Sequence, residues 1–225
     1  MTKSEPMIHR RPTSLRIQVE DELRRGIIFG QFLPGTRLVE RELCELFSVG
    51  RTSVREALRQ MEAEGMVTSF PHRGPIVATI NAEEARQIYE LRALLEGYCG
   101  QEFIQRATQN QITELRKNCE SYAKAAAANS QKQMFTAKRK FYQTLIQGAE
   151  NVQIERILIP LQNRTARLRM MSISNPLRLP QTVAELDEIV AAIEARDPVC
   201  AQDACRRHVQ NAARVVIAML AQEKG

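Results

Sequence analysis

Three arginines with the chemistry to contact nucleic acid lie within a short stretch of this sequence: Arg41, Arg51 and Arg55. A guanidinium group can donate two parallel hydrogen bonds to a guanine edge or to a phosphate. Thr52 adds a hydroxyl beside Arg51, and the first turn of a helix itself favours a phosphate oxygen. Residues of these types at the start of a helix are typical of a protein that contacts DNA.

A second group of candidate contacts lies in the segment Pro71-His72-Arg73-Gly74-Pro75, which is rich in turn-forming residues. The flanking segments, Met66 to Phe70 and Ile76 to Ile80, carry many β-branched side chains. We expect a β-hairpin whose basic tip presents His72, Arg73 and Gly74.

The elements that must position the arginines are two short helices joined by a tight turn at residues 48–50. The first helix has the apolar stripe Leu43, Leu46 and Phe47, and the second has Val54, Ala57, Leu58 and Met61. The second helix should begin near Arg51 and end at Gly65, where a left-handed cap costs least. This spacing predicts a helix-turn-helix.

Upstream of these helices, apolar residues recur every four positions from Leu15 to Ile27, which predicts a helix capped by Thr13 or Ser14. It should end near Phe29-Gly30. The turn Leu33-Pro34-Gly35 then leads into a short edge strand around Arg37-Leu38.

The segment from Leu15 to about Ile80 resembles the winged helix-turn-helix of the GntR family of bacterial transcription regulators. The resemblance is carried by Leu33-Pro34-Gly35, Glu40-Arg41-Glu42-Leu43 and Val54-Arg55-Glu56-Ala57-Leu58. Gly50 and Ser53 depart from the serine and proline that are common in the family at those positions. The DNA contacts that the resemblance implies are Arg41, Arg51, Thr52, Arg55, His72, Arg73 and Gly74.

Ordinary surface ion pairs are the alternative for some of these arginines. Arg55 can pair with Glu56 or Glu62. Arg59 lies one turn beyond the helix tip, so for Arg59 we favour pairing with Glu56 or Glu62 over DNA contact.

The composition limits the classes of protein to which the chain can belong. With 225 residues, 44% hydrophobic content and a net charge of +6, the chain can form two modest domains. No glycine-rich phosphate loop, nucleophile elbow or histidine cluster points to an enzyme. The absence of a leader-like or membrane-spanning apolar run, together with five scattered cysteines, predicts a cytoplasmic protein with reduced thiols.

From Asn81 onward every predicted element is a helix, beginning with Asn81 as a cap and Glu84 three residues later. The first of these helices carries Ile88, Leu91, Leu95 and Tyr98 on its apolar stripe. The expected helices span residues 81–107, 110–129, 131–147, 151–173, 181–195 and 198–222. Pro160 should kink or split its helix. We therefore expect a mainly α protein, with a winged helix-turn-helix (α+β) at residues 1–80 and an all-α antiparallel bundle at residues 81–225.

The bundle resembles the FCD effector domain of FadR-branch GntR regulators, through Tyr89-Glu90-Leu91-Arg92, Phe141-Tyr142 and the segment from Asp197 to His208. Six helices fit the shorter, VanR-like type better than the seven-helix one, and Pro160 leaves the seven-helix type open. Many FCD domains hold a divalent metal through one aspartate and three histidines. The corresponding positions here are Lys138, Tyr142, Leu186 and His208. The whole chain has three histidines and two of them lie in its N-terminal half, so the helical bundle cannot form the family's three-histidine site. We expect neither a metal nor any other cofactor.

Lys138 and Tyr142 lie one helical turn apart and share a face. If that face points inward, these two residues, His208 and Arg92, which the resemblance makes a pocket arginine, form an effector site for a carboxylate or phosphate. Two alternatives stay open: the run Lys138-Arg139-Lys140 can be solvated, and Arg92 can pair with Glu96.

These observations together predict a dimeric repressor that binds a palindromic double-stranded operator and responds to a small acidic metabolite. The alternative is a DNA-binding protein whose helical domain only dimerises and has no small-molecule effector.

Overall fold

The computed structural model describes residues 12–222, with side chains from residue 15 onward. The chain divides into two compact units, Met1–Thr79 and Ile80–Gly225. Within the described residues, no helix is both long and apolar enough to cross a membrane.

The N-terminal unit contains three helices, α1 (Pro12–Ile28), α2 (Glu40–Phe47) and α3 (Arg51–Ala63), followed by the strands β1 (Val67–Phe70) and β2 (Gly74–Val77). Helix α1 begins before Thr13 and Ser14, so neither is its cap, and the side chains of both lie outside the described residues. The predicted core stripe of α3 is confirmed, because Val54, Ala57, Leu58 and Met61 are all buried.

The predicted stripe of α2 is wrong at Leu46, whose side chain is 53% exposed. Leu43 is buried, and Phe47 and Cys44 are half-buried. At 100° per residue, Phe47 and Cys44 are rotated from Leu43 in one direction around the helix axis, whereas Leu46 is rotated in the opposite direction. A helix of eight residues thus packs along one narrow line, and Leu46 lies off that line.

The hairpin pairs β1 with β2 antiparallel, from Val67 opposite Val77 to Phe70 opposite Gly74. The second strand therefore spans Gly74–Val77 and not residues 76–80 as predicted. Pro75 is tolerated in it because its carbonyl points away from β1 and accepts the N–H of Leu38 at 2.8 Å, so its missing N–H removes no bond between the strands. The predicted edge strand is reduced to a single bridge between Arg37 and Ile76.

The second unit contains seven helices within the described residues. They are α4 (Ala82–Arg106), α5 (Gln109–Ala127), α6 (Gln131–Gly148), α7 (Val152–Arg164), α8 (Ala166–Ile173), α9 (Leu179–Glu194) and α10 (Pro198–Gln222). The sequence left six or seven helices open, and the count is seven because residues 151–173 form two helices. The break lies at Thr165, whereas Pro160 remains inside α7. The predicted cap is confirmed: Asn81 Oδ1 accepts the N–H of Glu84 at 2.8 Å.

Helices α4 and α10 form a close contact in the second unit, and glycines make it possible. A Cβ atom placed on Gly100 would lie 2.7 Å from Cys205 Sγ and 2.9 Å from the Ala201 carbonyl oxygen. One placed on Gly97 would lie 2.5 Å from the Arg206 side chain. Beside this contact, α4 and α10 bury an apolar cluster that includes Ala93 and Val209.

We expect Gly100→Ala to lower the free energy of unfolding by about 1–3 kcal/mol, even though alanine favours helix more than glycine does. The reason is that the added methyl group meets backbone of α10, which cannot rotate away. Gly50→Ala is the control for a methyl group that meets no neighbour, since nothing lies within 4 Å of its added Cβ. Its only expected cost is that of alanine at an N-cap. Urea unfolding measures both variants, and a Gly100→Ala protein as stable as the control would contradict this account of the contact.

Candidate functional site

The first turn of α3 presents a free arginine. Helix α3 begins at Arg51, after Gly50 as N-cap, and both Arg51 and Thr52 are exposed. Among the described residues Arg51 has neither a hydrogen-bond partner nor an ion-pair partner for its guanidinium group. Its donors and the unpaired N–H groups of the helix start therefore face solvent together.

Arg55 is held by a carboxylate from the preceding helix. Its Nε donates to Oε1 and Oε2 of Glu40 at 2.9 and 2.8 Å. Pairing with Glu56 or Glu62 was the expected alternative, but α2 instead brings Glu40 across the turn. The two terminal nitrogens of Arg55 have no hydrogen-bond partner among the described residues. Contrary to expectation, Arg59 forms no ion pair with Glu56 or Glu62 among the described residues.

The hairpin tip is a tight turn with exposed basic residues. The N–H of Arg73 donates to the Phe70 carbonyl at 3.2 Å, Pro71 occupies the second position, and His72 follows with φ of +65°. These features match a type II turn, which usually has glycine where His72 lies. Gly74, predicted at the tip, is instead the first residue of β2, with φ of +75°. His72 and Arg73 are exposed.

Arg41 completes the set of predicted DNA contacts. It lies in the first turn of α2 with 73% of its side chain exposed, and its contact with Glu45 is long, at 4.0 Å. It therefore remains available to a ligand.

The four predicted effector residues come together inside the helical unit. Arg92, Lys138, Tyr142 and His208 are each at most 3% exposed. The Arg92 guanidinium lies 5.7 Å from the centre of the Tyr142 ring, which lies 6.1 Å from the centre of the His208 ring. The solvated alternative is thus wrong for Lys138, although Arg139 and Lys140 are exposed.

The pairing of Arg92 with Glu96 does form, but it is buried. Arg92 Nε donates to Glu96 Oε1 at 2.9 Å, and Nη1 donates to Thr165 Oγ1 at 3.1 Å. The exposed fractions of the Arg92 and Glu96 side chains are 2% and 0%. Arg92 therefore points inward and pairs with Glu96 at the same time, so the two expectations do not exclude each other.

Sequence reasoning missed two further arginines of this cluster, Arg169 on α8 and Arg178 just before α9. Both are buried. The Arg169 guanidinium lies 5.3 Å from the Tyr142 ring centre, and Arg178 Nη2 donates to Glu185 Oε2. The only signal for Arg169 was its position between Leu168 and Met170, and sequence spacing gave no signal for Arg178.

Glu185 organises the end of the cluster near α9 and α10. Its Oε2 lies 2.6 Å from His208 Nδ1, and its Oε1 accepts from Asn211 at 2.7 Å. Because a carboxylate only accepts, the shared proton belongs to Nδ1 of His208. Burial opposes ionisation of Glu185, but hydrogen bonds from His208 and Arg178 outweigh it and lower its pKa to about 2.

Burial also disfavours the charged forms of the basic groups, and for a base this lowers the pKa. It lowers the pKa of His208 to about 3, and the nearby charge of Lys138 adds to this effect. Burial also lowers the pKa of Lys138 well below its ordinary value, assisted by repulsion from Arg169, Arg178 and Arg92. Without a bound anion, the cluster therefore disfavours the protonated forms of His208 and Lys138.

The donor set at the family's metal positions does not fit a divalent metal. Leu186 offers no donor atom, and Lys138 places a basic amine in a cationic cluster. His208 turns Nδ1 toward Glu185 and leaves a single imidazole nitrogen. No group of three or more potential metal-ligating side chains occurs among the described residues.

A surface groove of about 560 Å³ lies between α4 and α10. Its walls include Tyr89, Ala93, Leu94 and Ile217, with Arg206 among the polar residues. The Arg92 guanidinium lies 4.9 Å from the centre of the Tyr89 ring. Tyr89 therefore belongs both to the wall of this groove and to the surroundings of the buried cluster.

Comparison with known proteins identifies both units. A model of the FCD domain matches residues 87–211, and a model of bacterial regulatory proteins of the gntR family matches residues 15–77. A probable D-xylose utilization operon transcriptional repressor of Paenarthrobacter nicotinovorans is 26% identical, over 88% of this chain and 86% of its own length. The transcriptional repressor RspR of Escherichia coli is 26% identical, over 86% and 85%. The fold of Escherichia coli McbR/YncC is similar, with a TM-score of 0.77 and 22% identity over 94% of this chain and 99% of that one.

The neutral, buried state of His208 predicts a loss of stability in acid. An unfolded histidine binds a proton below about pH 6.5, whereas native His208 does so only near pH 3. Stability is therefore lost as the pH falls from 6.5 toward 3, by roughly 2 kcal/mol between pH 7 and pH 5 for this residue. Urea unfolding at both pH values should show a smaller loss for His208→Gln. Equal losses in the two proteins would contradict the prediction.

Proposed function

We propose that this chain, which belongs to the gntR family of bacterial regulatory proteins and carries an FCD domain, is a dimeric repressor that a small organic acid releases from a palindromic operator. Membership of the family makes the chain a transcription regulator and not an enzyme. The observation that carries the proposal of an acid effector is the buried basic cluster around Lys138.

The operator is read by the tip of α3 and by the hairpin. Arg51 and Arg55 extend from successive turns of α3, Arg41 from α2, and Thr52 supplies a hydroxyl. His72, Arg73 and the backbone at Gly74 contact the adjacent groove or phosphates. The support is geometric: the arginines are exposed, and Arg51 and the terminal nitrogens of Arg55 have no protein partner among the described residues.

Glu40 positions Arg55 for this reading. It binds only Nε, so Nη1 and Nη2 are turned away from the carboxylate toward a base edge or phosphate. Their ion pair is exposed, at 57% and 34% of the two side chains, and contributes little to folding. Its effect is therefore on the orientation of the guanidinium group and on its net charge.

The helical unit forms the dimer. Exposed apolar residues occur at helical spacing on two helices that contact each other, Leu91 and Leu94 on α4, and Val152 and Ile159 on α7. Leu91 was predicted to lie in the core, but its side chain is 42% exposed. Exposed apolar side chains are more stable when packed against a partner protomer than in contact with water.

The effector binds at the cluster formed by Arg92, Lys138, Tyr142 and His208. Lys138 Nζ lies 5.9 Å from the Tyr122 ring centre and has no carboxylate or hydrogen-bond partner among the described residues. An ammonium group in such surroundings is costly unless an anion accompanies it. An acid that binds there stabilises one arrangement of the bundle, and repression changes if the two arrangements differ in affinity for the acid.

For the operator, we expect Arg51→Ala and Arg55→Ala each to weaken binding by about 1–3 kcal/mol if they read bases. Glu40→Gln should instead raise affinity for unrelated DNA and lower the ratio of specific to non-specific binding, because Arg55 is then free and uncompensated. The measurement is fluorescence anisotropy with DNA that the wild-type protein has selected from random sequence. Arg25→Ala, on the exposed face of α1, is the control. Unchanged operator affinity in the Arg51→Ala/Arg55→Ala double variant would refute the assignment.

For the effector, Lys138→Met should raise the melting temperature of the ligand-free, metal-stripped protein, because it removes an unpaired buried amine. Replacing buried charge by an apolar side chain can stabilise by about 1–4 kcal/mol. The same variant should lose the acid-induced release from the operator. A thermal-shift and operator-release titration with organic acids measures both effects.

Two results would count against this effector site: an acid response unchanged by Lys138→Met, and a response that needs added zinc. If no acid shifts the melting temperature or operator binding, the helical unit only dimerises.

A further inference from the structure

The buried cluster carries more positive than negative charge. Four cationic side chains lie inside the helical unit: Arg92, Lys138, Arg169 and Arg178. Only two carboxylates, Glu96 and Glu185, contact them among the described residues. With His208 neutral and Lys138 protonated, two positive charges are left without a counter-charge. Burial lowers the pKa of Lys138, so an anion beside it both favours its protonated form and compensates its charge. Interiors seldom hold unpaired charge, because removing an ion from water is unfavourable unless a counter-charge or hydrogen bonds replace the water.

The uncompensated charges also have free hydrogen-bond donors. Arg178 uses Nη2 for Glu185, while its Nε and Nη1 are buried without a protein partner. Arg169 uses Nη2 for the Gln162 carbonyl at 3.4 Å, while its Nε is buried without a partner. Native structures rarely leave buried guanidinium donors unpaired, so these atoms indicate an anionic ligand.

The free donors belong to two different groups of side chains. Arg169 lies with Arg92 around the Tyr142 ring, at 5.3 and 5.7 Å from its centre. Arg178 belongs to the opposite group, with Glu185 and His208. Lys138 lies buried on α6, one turn before Tyr142, with its Nζ 5.9 Å from the centre of the Tyr122 ring. Burial lowers its pKa, and the charges of Arg169, Arg178 and Arg92 lower it further, in agreement with this position. Tyr142, on the same helix, also joins the two groups, because its ring centre lies 6.1 Å from that of His208.

We infer that the cluster binds a dicarboxylic acid, with one carboxylate held by Arg169, the other by Arg178, and Lys138 contacting the ligand between them. The inference rests on the proposed acid-effector site and adds the charge of the ligand. A dianion compensates both excess charges, whereas a monocarboxylate leaves one buried charge and one set of donors unpaired.

The test compares acids of equal length on the full chain. Succinate is paired with butyrate, glutarate with valerate, and adipate with hexanoate, and inorganic phosphate serves as a compact anion. Calorimetry and thermal shift give the affinities. We expect at least one dicarboxylate to bind tenfold or more tightly than its monocarboxylate partner, and phosphate to bind weakly.

A variant identifies the second carboxylate subsite. In Arg178→Met the preference for the dicarboxylate should fall to about onefold, while the monocarboxylate affinity stays within about threefold. If Arg178→Met does not fold, Arg169→Met replaces it, and we expect the same loss of preference for the dicarboxylate. Arg207→Met is the control, because Arg207 is 50% exposed and pairs with Glu188 on the surface. The control should keep the full preference.

The possible failures are distinguishable. Equal affinities for the two acids of every pair would overturn the dicarboxylate inference but would not contradict the proposed acid-effector site. Tight binding of phosphate alone would overturn it in favour of a single compact anion. If neither the acids nor phosphate bind, both the inference and the proposed effector site are refuted.

Discussion

The close approach of α4 to α10 is the contact on which the helical unit depends. Gly97 and Gly100 leave room for α10, since a Cβ at Gly100 would meet the Ala201 carbonyl oxygen at 2.9 Å. The helices run antiparallel along this contact, so moving back along α4 to Arg92 corresponds to moving forward along α10 to His208. The same glycines that pack the two helices therefore place Arg92 of α4 near His208 of α10, and α6, α8 and α9 add the other members of the basic cluster.

That packing conflicts with the charges that it encloses. Close contact excludes water, and burial then works against the protonated forms of Lys138 and His208. The apolar core must supply the stability that the cluster removes. Because an anion would relieve the conflict, its binding and the stability of the bundle are linked, and this linkage is what a ligand-responsive regulator requires.

The sequence predicted local features well and long-range pairing poorly. Asn81 as a cap and the buried stripe of α3 follow from periodicity and capping, which act within a few residues. The partner of Arg55 was missed because Glu40 is fifteen residues away and reaches it only through the turn. Arg178 was missed for a different reason: it precedes α9 and meets Glu185 of that helix seven residues later, a wider spacing than the usual helical ion pair, and only the folded bundle adds His208 of α10. The segment at residues 151–173 does divide into two helices, which the sequence allowed, but the break lies at Thr165 and not at Pro160.

Both units use an arginine in the same way. Glu40 holds Arg55 through Nε, and Glu185 holds Arg178 through Nη2, so in each case the remaining donors are directed at something other than the carboxylate. The surroundings make the difference. The exposed pair is screened by water and salt, which suits reversible contact with a polyanion. The Arg178 guanidinium is 2% exposed, so the same free donors favour an anion much more strongly and select it by its charge.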